Sequence, residues 1–356
     1  MKILYGVQAT GNGHITRARV MAPLLRAAGA EVTFLFTGRP WSRLFDMEIF
    51  GDFEWRAGLT FQTHAGQVDY FKTALHNDLP GFVRDVHRLA VREYDLVITD
   101  FEPVTAWAAK LRGVRAVGIG HQYAFAFPIP RTGDDFLART VMKSFAPASI
   151  SLGLHWHHFD QPILPPIIET PAEPDRVAPE KILVYLPFED ARMIVRLLQG
   201  FTDFQFYVYG TGPVADKPSH IHIRPPSRDG FHNDLRDCVG VICNAGFELA
   251  SEALQMGKKL LVKPLHAQLE QLSNALALEQ LGFGTVMPDL DAASVGFWLK
   301  HGQARRVVYP RVAEAVVEWL LGGDLRVDPH WVASVWERVV YGAGDVAGPA
   351  QLRKFA

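Results

Sequence analysis

The 356-residue sequence has only two cysteines, Cys238 and Cys243, both within one apolar stretch, DCVGVIC. Two thiols five residues apart, with no second pair, fit neither a disulfide framework nor a zinc pattern. They read as buried small hydrophobes, and nothing in them asks for an oxidising compartment. No apolar run approaches the roughly 20 residues of a membrane span. The short run after Lys2 is too brief for a signal-peptide core and lacks a small-residue cleavage site, so a cytoplasmic protein is expected. Charge of one sign is also missing: 36 Lys and Arg stand against 38 Asp and Glu, a formal net charge of −2. A chain without a basic field is not expected to take nucleic acid as a partner. There is no low-complexity tract and no short-period repeat.

What remains is a globular composition, 48% hydrophobic and 21% charged, on a chain long enough for about two domains. Apolar runs alternate with helical patterns from the start. Residues 2–7 (KILYGV), 31–36 (EVTFLF), 95–99 (DLVIT) and 115–120 (RAVGIG) read as buried strands, with helices over 14–28 and 103–111. Six prolines between Phe159 and Glu180 exclude regular structure there and mark a linker. The alternation then resumes, with strands at 181–186, 204–209, 221–224, 239–243 and 259–262. Helices are expected near 191–199, 247–256 and 269–281, and a last amphipathic helix over 330–341. The expected layout is an acceptor-side domain over 1–160, a linker over 161–180, a second domain over 181–328, and a terminal helix and tail over 329–356. Continuous apolar strands separated by helices make the class α/β, with two doubly wound parallel sheets. Such sheets bind ligands at the carboxyl ends of their strands.

The loops at those ends carry the chemistry. After the first strand comes ATGNGHITRA, in which Gly11 and Gly13 permit close approach of backbone to a ligand. The dinucleotide fingerprint is incomplete, because Thr16 stands where a third glycine belongs and no acidic residue ends the second strand. A histidine at a helix N-terminus, as His14 is expected to be, is favoured in its neutral form and can take a proton from a hydroxyl; it can equally cap the turn. Asp100, after the strand DLVIT, is the preferred hydrogen-bond partner for it, although an Asp there can also cap the next helix, and Glu102 is a second candidate. His121 and Gln122 end another strand and are candidates for the acceptor pocket. His155, His157 and His158 resemble a metal cluster only superficially; no carboxylate or cysteine pattern accompanies them, and a surface or domain-interface role is favoured. No metal site is expected. In the second half, Gly246 lets backbone amides at a helix start meet a diphosphate. Glu252, six residues on, suits ribose hydroxyls, and Glu270-Gln271 opens a further helix towards a sugar.

GNGHI followed by AGAEVTFLF, together with NAGFELASEAL and EQLSNA, resembles the UDP-glycosyltransferase superfamily and the bacterial lipid II N-acetylglucosaminyltransferase. The resemblance implies the GT-B fold, two Rossmann-like domains facing each other across a cleft, and a nucleotide sugar as donor substrate without a further cofactor. It implies His14 as general base with Asp100 behind it, Glu252 on ribose, Glu270 and Gln271 on the sugar, and Gly246 with Phe247 backing the phosphates. His266 matches a histidine of the lipid II enzyme. An inverting, metal-independent transfer from a UDP- or dTDP-sugar follows from the same likeness. Two departures stand out: Asn244 replaces a phosphate-binding histidine, and Glu248 an asparagine. Lys263 or Gly210-Thr211-Gly212 are then expected to help hold the diphosphate. GNGHITR also matches nucleotide-sugar hydrolases of the pseudaminic acid pathway, where the histidine activates water; a sugar-nucleotide 2-epimerase and a non-catalytic nucleotide-sugar binder are further alternatives. The acceptor is unidentified. Aromatic-rich segments over 58–89 and 121–149 suit an apolar or lipid-linked one. The basic residues Arg131, Arg139 and Lys143 among Phe136, Leu137, Val141 and Met142 read as an ordinary amphipathic helix in preference to a membrane contact.

Overall fold

The computed structural model describes residues 1–60, 63–64, 67–68, 78–132, 140, 142–169 and 177–342. Phe136, Leu137, Arg139 and Val141 of the amphipathic stretch, and much of the segment 58–89, lie outside the described residues.

The first sheet holds β1 (Lys2–Gln8), β2 (Glu31–Thr37), β3 (Glu54–Trp55), β4 (Leu96–Asp100), β5 (Ala116–Gly120) and β6 (Ile150–Gly153). Its order is β3-β2-β1-β4-β5-β6, all parallel. The second holds β7 (Ala178–Tyr185), β8 (Gln205–Tyr209), β9 (Ile221–Ile223), β10 (Cys238–Asn244), β11 (Lys259–Lys263) and β12 (Thr285–Val286) in the order β9-β8-β7-β10-β11-β12, again all parallel. Each chain path runs outward from its first strand and then returns to the other side of it. The strand order therefore reverses between β1 and β4, where Val7 pairs with Asp100, and between β7 and β10, where Tyr185 pairs with Cys243. A crevice opens at such switch points because the flanking loops diverge. Every residue of β4 and β5 is buried, as continuous Val/Ile runs covered on both faces require.

The covering helices are α1 (Asn12–Ala27), α2 (Leu79–Arg88), α3 (Pro103–Arg112), α4 (Ala191–Leu198), α5 (Arg228–Asp237), α6 (Phe247–Gln255), α7 (Leu269–Gln280), α8 (Ala292–His301), α9 (Val312–Leu321) and α10 (Pro329–Trp336). Two expectations are corrected. The first helix starts at Asn12, with Gly11 as its N-cap, so His14 lies inside the first turn and does not begin it. The last helix stops at Trp336; the β-branched run after it places Val340–Tyr341 antiparallel to Val307–Val308. The end of the described chain returns to the first half: α9 packs on α1, and the Trp336 indole donates to the Ile163 carbonyl (2.6 Å).

Glu102, the second candidate for the partner of His14 and an expected acceptor-side residue, is also corrected: its carboxylate is taken by Thr37, Val104 and Thr105. It is fully buried and caps α3. One oxygen accepts from Val104 N (2.7 Å) and Thr37 Oγ1 (2.9 Å), the other from Thr105 N and Thr105 Oγ1 (both 2.7 Å). Burial pushes its carboxyl up, against the pull of these donors. Gly6 on β1 makes the room: a Cβ there would sit 2.8 Å from the Glu102 carboxylate. Between Asp100 and Glu102, Phe101 adopts φ 54°, a left-handed backbone costing a phenylalanine roughly 1 kcal/mol or more. This turn separates the neighbours' duties: Asp100 meets α1, and Glu102 meets the first turn of α3. Glu102→Ala should remove the cap and strand Thr37 and Thr105, costing about 2–3 kcal/mol in urea unfolding. A loss below about 0.5 kcal/mol would contradict this role.

Candidate active site

The two sheets' carboxyl ends face a cavity of about 450 Å³, and the loops expected to carry the chemistry line it. From the first half come Gly11, Gly13, His14, His121 and Gln122; from the second, Asn244, Gly246, Phe247, Glu252, Glu270 and Gln271. Among the helices whose first turns line this cavity are α1, α6 and α7. Their N-caps, Gly11, Gly246 and Gln268, contribute no side-chain hydrogen bond. By contrast α2, α3, α4, α8 and α10 are each capped by an Asp or Glu side chain. Uncapped first turns leave backbone N–H donors and the positive end of the helix dipole free for an anion.

His14 and Asp100 meet as the sequence suggested. His14 Nδ1 donates to Asp100 Oδ1 at 2.7 Å, which leaves Nε2 as the bare acceptor; the imidazole side chain is 14% exposed, whereas Asp100 is fully buried. Burial opposes the Asp100 charge, but the neighbouring Arg17 guanidinium and His14 outweigh it and hold the carboxyl below its usual range. Arg17, on α1 one turn after His14, is the residue that sequence reasoning passed over except as the end of a motif. It is buried and donates from Nε to Asp100 Oδ2 (2.7 Å), from Nη2 to Asp100 Oδ1 (2.8 Å), and from Nη1 to Glu248 Oε2 (2.9 Å) on α6. The spacing His-x-x-Arg on a helix, which puts both side chains on one face, was the available signal.

Glu248 thus joins the halves. Its Oε1 is buried without a hydrogen-bond partner among the described residues, and burial pushes its carboxyl up to about 8 despite Arg17. Glu252, one turn on along α6, is also buried against the cavity; burial, with Glu248 and Glu169 adding to it, raises its carboxyl well above the usual range. Close contact of the loops depends on Gly13, since a Cβ there would lie 3.0 Å from Glu248 Cβ.

Other expected residues meet across the cleft. Gln122 Nε2 donates to both oxygens of Glu270 (3.1 Å each). His121 lies between two oxygens, the Leu154 carbonyl at Nδ1 (2.8 Å) and Asn274 Oδ1 at Nε2 (2.6 Å), and stacks on Phe247 with ring centroids 4.1 Å apart. Its burial pushes the imidazole towards its neutral form. Asn12 Nδ2 reaches the Tyr185 hydroxyl at 3.2 Å. Gln271 turns its carbonyl back to Leu265 N (3.0 Å), so it orders the loop before α7 while lining the cavity. His155 lies buried at the interface between the halves, its ring 5.1 Å from that of His121. Among the described residues no group of three His, Cys, Asp or Glu is arranged to hold a metal.

Two expected residues are elsewhere. Lys263 is buried outside the cavity wall, its ammonium committed to Glu189 Oε1 at 2.8 Å. That carboxylate neutralises the lysine expected to meet phosphate. His266 is 42% exposed at its side chain and pairs with Asp289 (3.0 Å) away from the cavity. Asn244 lines the cavity, but its amide donates to the Lys263 carbonyl at 3.1 Å.

No helix among the described residues is long and apolar enough to cross a membrane. A search of curated proteins found no match. Solved structures resemble the fold. The spinosyn rhamnosyltransferase SpnG shares 15% identity over 95% of this chain and 99% of its own, with a TM-score of 0.56. The calicheamicin glycosyltransferase CalG4 shares 17% over 94% of both chains, with a TM-score of 0.51. The glycosyltransferase SnogD from Streptomyces nogalater shares 18% over 91% of this chain and 95% of its own, with a TM-score of 0.50. These are GT-B folds, and the likeness agrees with two parallel sheets facing one cleft. The sequence profile described as glycosyl transferase family 1 matches residues 1–301, most of the chain. The chain therefore belongs to glycosyl transferase family 1 and is a glycosyltransferase.

Proposed function

We propose that this glycosyltransferase takes its sugar from a UDP- or dTDP-sugar seated against α6 and α7, and passes it with inversion to an acceptor hydroxyl activated by His14. The observation that carries the reading is the 2.7 Å His14–Asp100 pair at the switch point of the first sheet, facing the uncapped start of α6. With Nδ1–H held by Asp100, His14 Nε2 is the lone pair that can accept the acceptor's proton. As the imidazolium forms, Asp100 balances its charge. The acceptor oxygen then attacks the anomeric carbon while the bond to the diphosphate breaks. The electron pair leaving with the diphosphate is met by the free N–H groups of Phe247 to Leu249 and the α6 dipole, which is the basis for a transfer needing no metal. Glu252 and Glu270 are suited to accept hydroxyl hydrogens of ribose and sugar. Structures of a related fold agree in kind: SpnG has been solved in complex with thymidine diphosphate and in complex with spinosyn aglycone. An apolar acceptor suits the aromatic Phe101 and Phe145 on the acceptor side of the cavity.

His14→Ala should lower sugar transfer by about 10²–10⁴-fold while dTDP or UDP binding, followed by calorimetry, changes little. Unchanged turnover would remove His14 as the base. Glu252→Ala should do the converse, weakening nucleotide binding by about tenfold, as expected for a lost hydrogen bond, with little change in thermal stability. Incubation with a dTDP- or UDP-sugar and no acceptor should release free sugar only slowly. Rapid stoichiometric release would favour the hydrolase, with water in place of the acceptor. Transfer should also persist in EDTA.

A further inference from the structure

We propose that Arg17 is a positioning residue of the transfer site, aligning Asp100 on His14 and tying that alignment to the donor-side helix α6 through Glu248. The inference rests on the reading of His14 as the base. Its starting point is an apparent extravagance: a buried guanidinium held between two buried carboxylates, one on each side of the cleft. Burying an ion cluster returns little stability, because desolvation consumes most of the Coulombic gain. Geometry is the better explanation.

Nε and Nη2 of Arg17 grip the two oxygens of Asp100 at 2.7 and 2.8 Å, a fork that fixes both the plane and the rotation of the carboxylate. Oδ1, so oriented, receives His14 Nδ1. Arg17 Nη2 also lies 3.3 Å from that nitrogen. A guanidinium has no acceptor to offer, so it leaves Asp100 Oδ1 as the acceptor for Nδ1–H and keeps the free lone pair on Nε2. The third contact, Nη1 to Glu248 Oε2, crosses to the second residue of α6, within the turn proposed to meet the diphosphate. Withdrawal of α6 would strip Arg17 of one anchor and Glu248 of the hydrogen bond on its Oε2, while its Oε1 has none among the described residues. The base is thus correctly aligned when the donor-side helix is seated. A lysine cannot reproduce this, since a single ammonium lacks the planar fork.

Two readouts test the proposal. Nitrogen-15 spectra of the histidine ring report the His14 tautomer without substrate, and the slow hydrolysis of dTDP-glucose, in which water takes the glucosyl group and dTDP leaves, separates kcat from KM. In Arg17→Met, His14 should lose its single Nδ1–H tautomer and show averaged ring shifts, and kcat should fall by about a hundredfold with KM changed less than about threefold. Arg17→Lys should rescue neither readout. Glu248→Ala, which leaves the fork on Asp100 but removes its tie to α6, should lower kcat by about tenfold at similar KM. A folded Arg17→Met or Arg17→Lys protein that keeps the Nδ1–H tautomer and wild-type kcat would overturn the proposal; if Arg17→Met does not fold, Arg17→Lys and Glu248→Ala carry the comparison. Wild-type kcat in Glu248→Ala would overturn the tie to α6. Loss of the tautomer in Arg17→Met, combined with full turnover in His14→Ala, would overturn the base reading and leave the alignment of His14 by Arg17 standing.

Discussion

Asp100 is charged with none of its surface in water, and the centre of the molecule is arranged around making that tolerable. An isolated buried carboxylate would give up its charge, because desolvation in a low-dielectric interior is so costly. Here the Arg17 fork and the His14 imidazole supply the opposing interactions. Each partner comes from α1, which is placed by the loop after β1, which lies beside β4 in the sheet. The charge is thus stabilised by the same topology that opens the crevice. Strand order, helix start and site electrostatics are one constraint seen at three scales.

The second half answers it with carboxylates of its own. Glu248 and Glu252, one turn apart on α6, are both pushed upward by burial. Burial disfavours their charged forms, which lessens the repulsion that a diphosphate proposed to bind there would meet, and Arg17 offsets the charge that Glu248 keeps. The lysine expected at this surface is withdrawn into a pair with Glu189, and the proposed diphosphate contacts fall to helix N-termini with free backbone donors.

The central strands of each sheet were legible because their apolar runs are continuous and covered on both sides. So was the pairing of His14 with Asp100, because both follow strands that the doubly wound topology sets side by side. The elements missed from sequence have physical reasons. Strands β3 and β12 are two-residue edge strands with no room for a pattern. Helix α5 (RDGFHNDLRD) is too polar to declare a buried face, and α9 (VAEAVVEWLL) is apolar over much of its circumference, so neither has a clear amphipathic period. Among site residues, Glu102 and Lys263 were misplaced for one reason. Charged side chains near strand ends look alike in sequence whether they turn into the cleft or beneath it, and the choice is made by contacts such as Thr37 and Glu189 that are distant along the chain. Arg17 was underweighted because its second partner, Glu248, is 231 residues away.

The most direct measurement is a crystal structure of the protein with bound dTDP. The account predicts the diphosphate over the first turn of α6, between Gly246 and Leu249, the ribose hydroxyls on Glu252, and His14 Nε2 facing the open space beyond the outer phosphate with Nδ1 still on Asp100. A diphosphate bound away from α6, or a His14 ring turned out of the cleft with its bond to Asp100 broken, would contradict it.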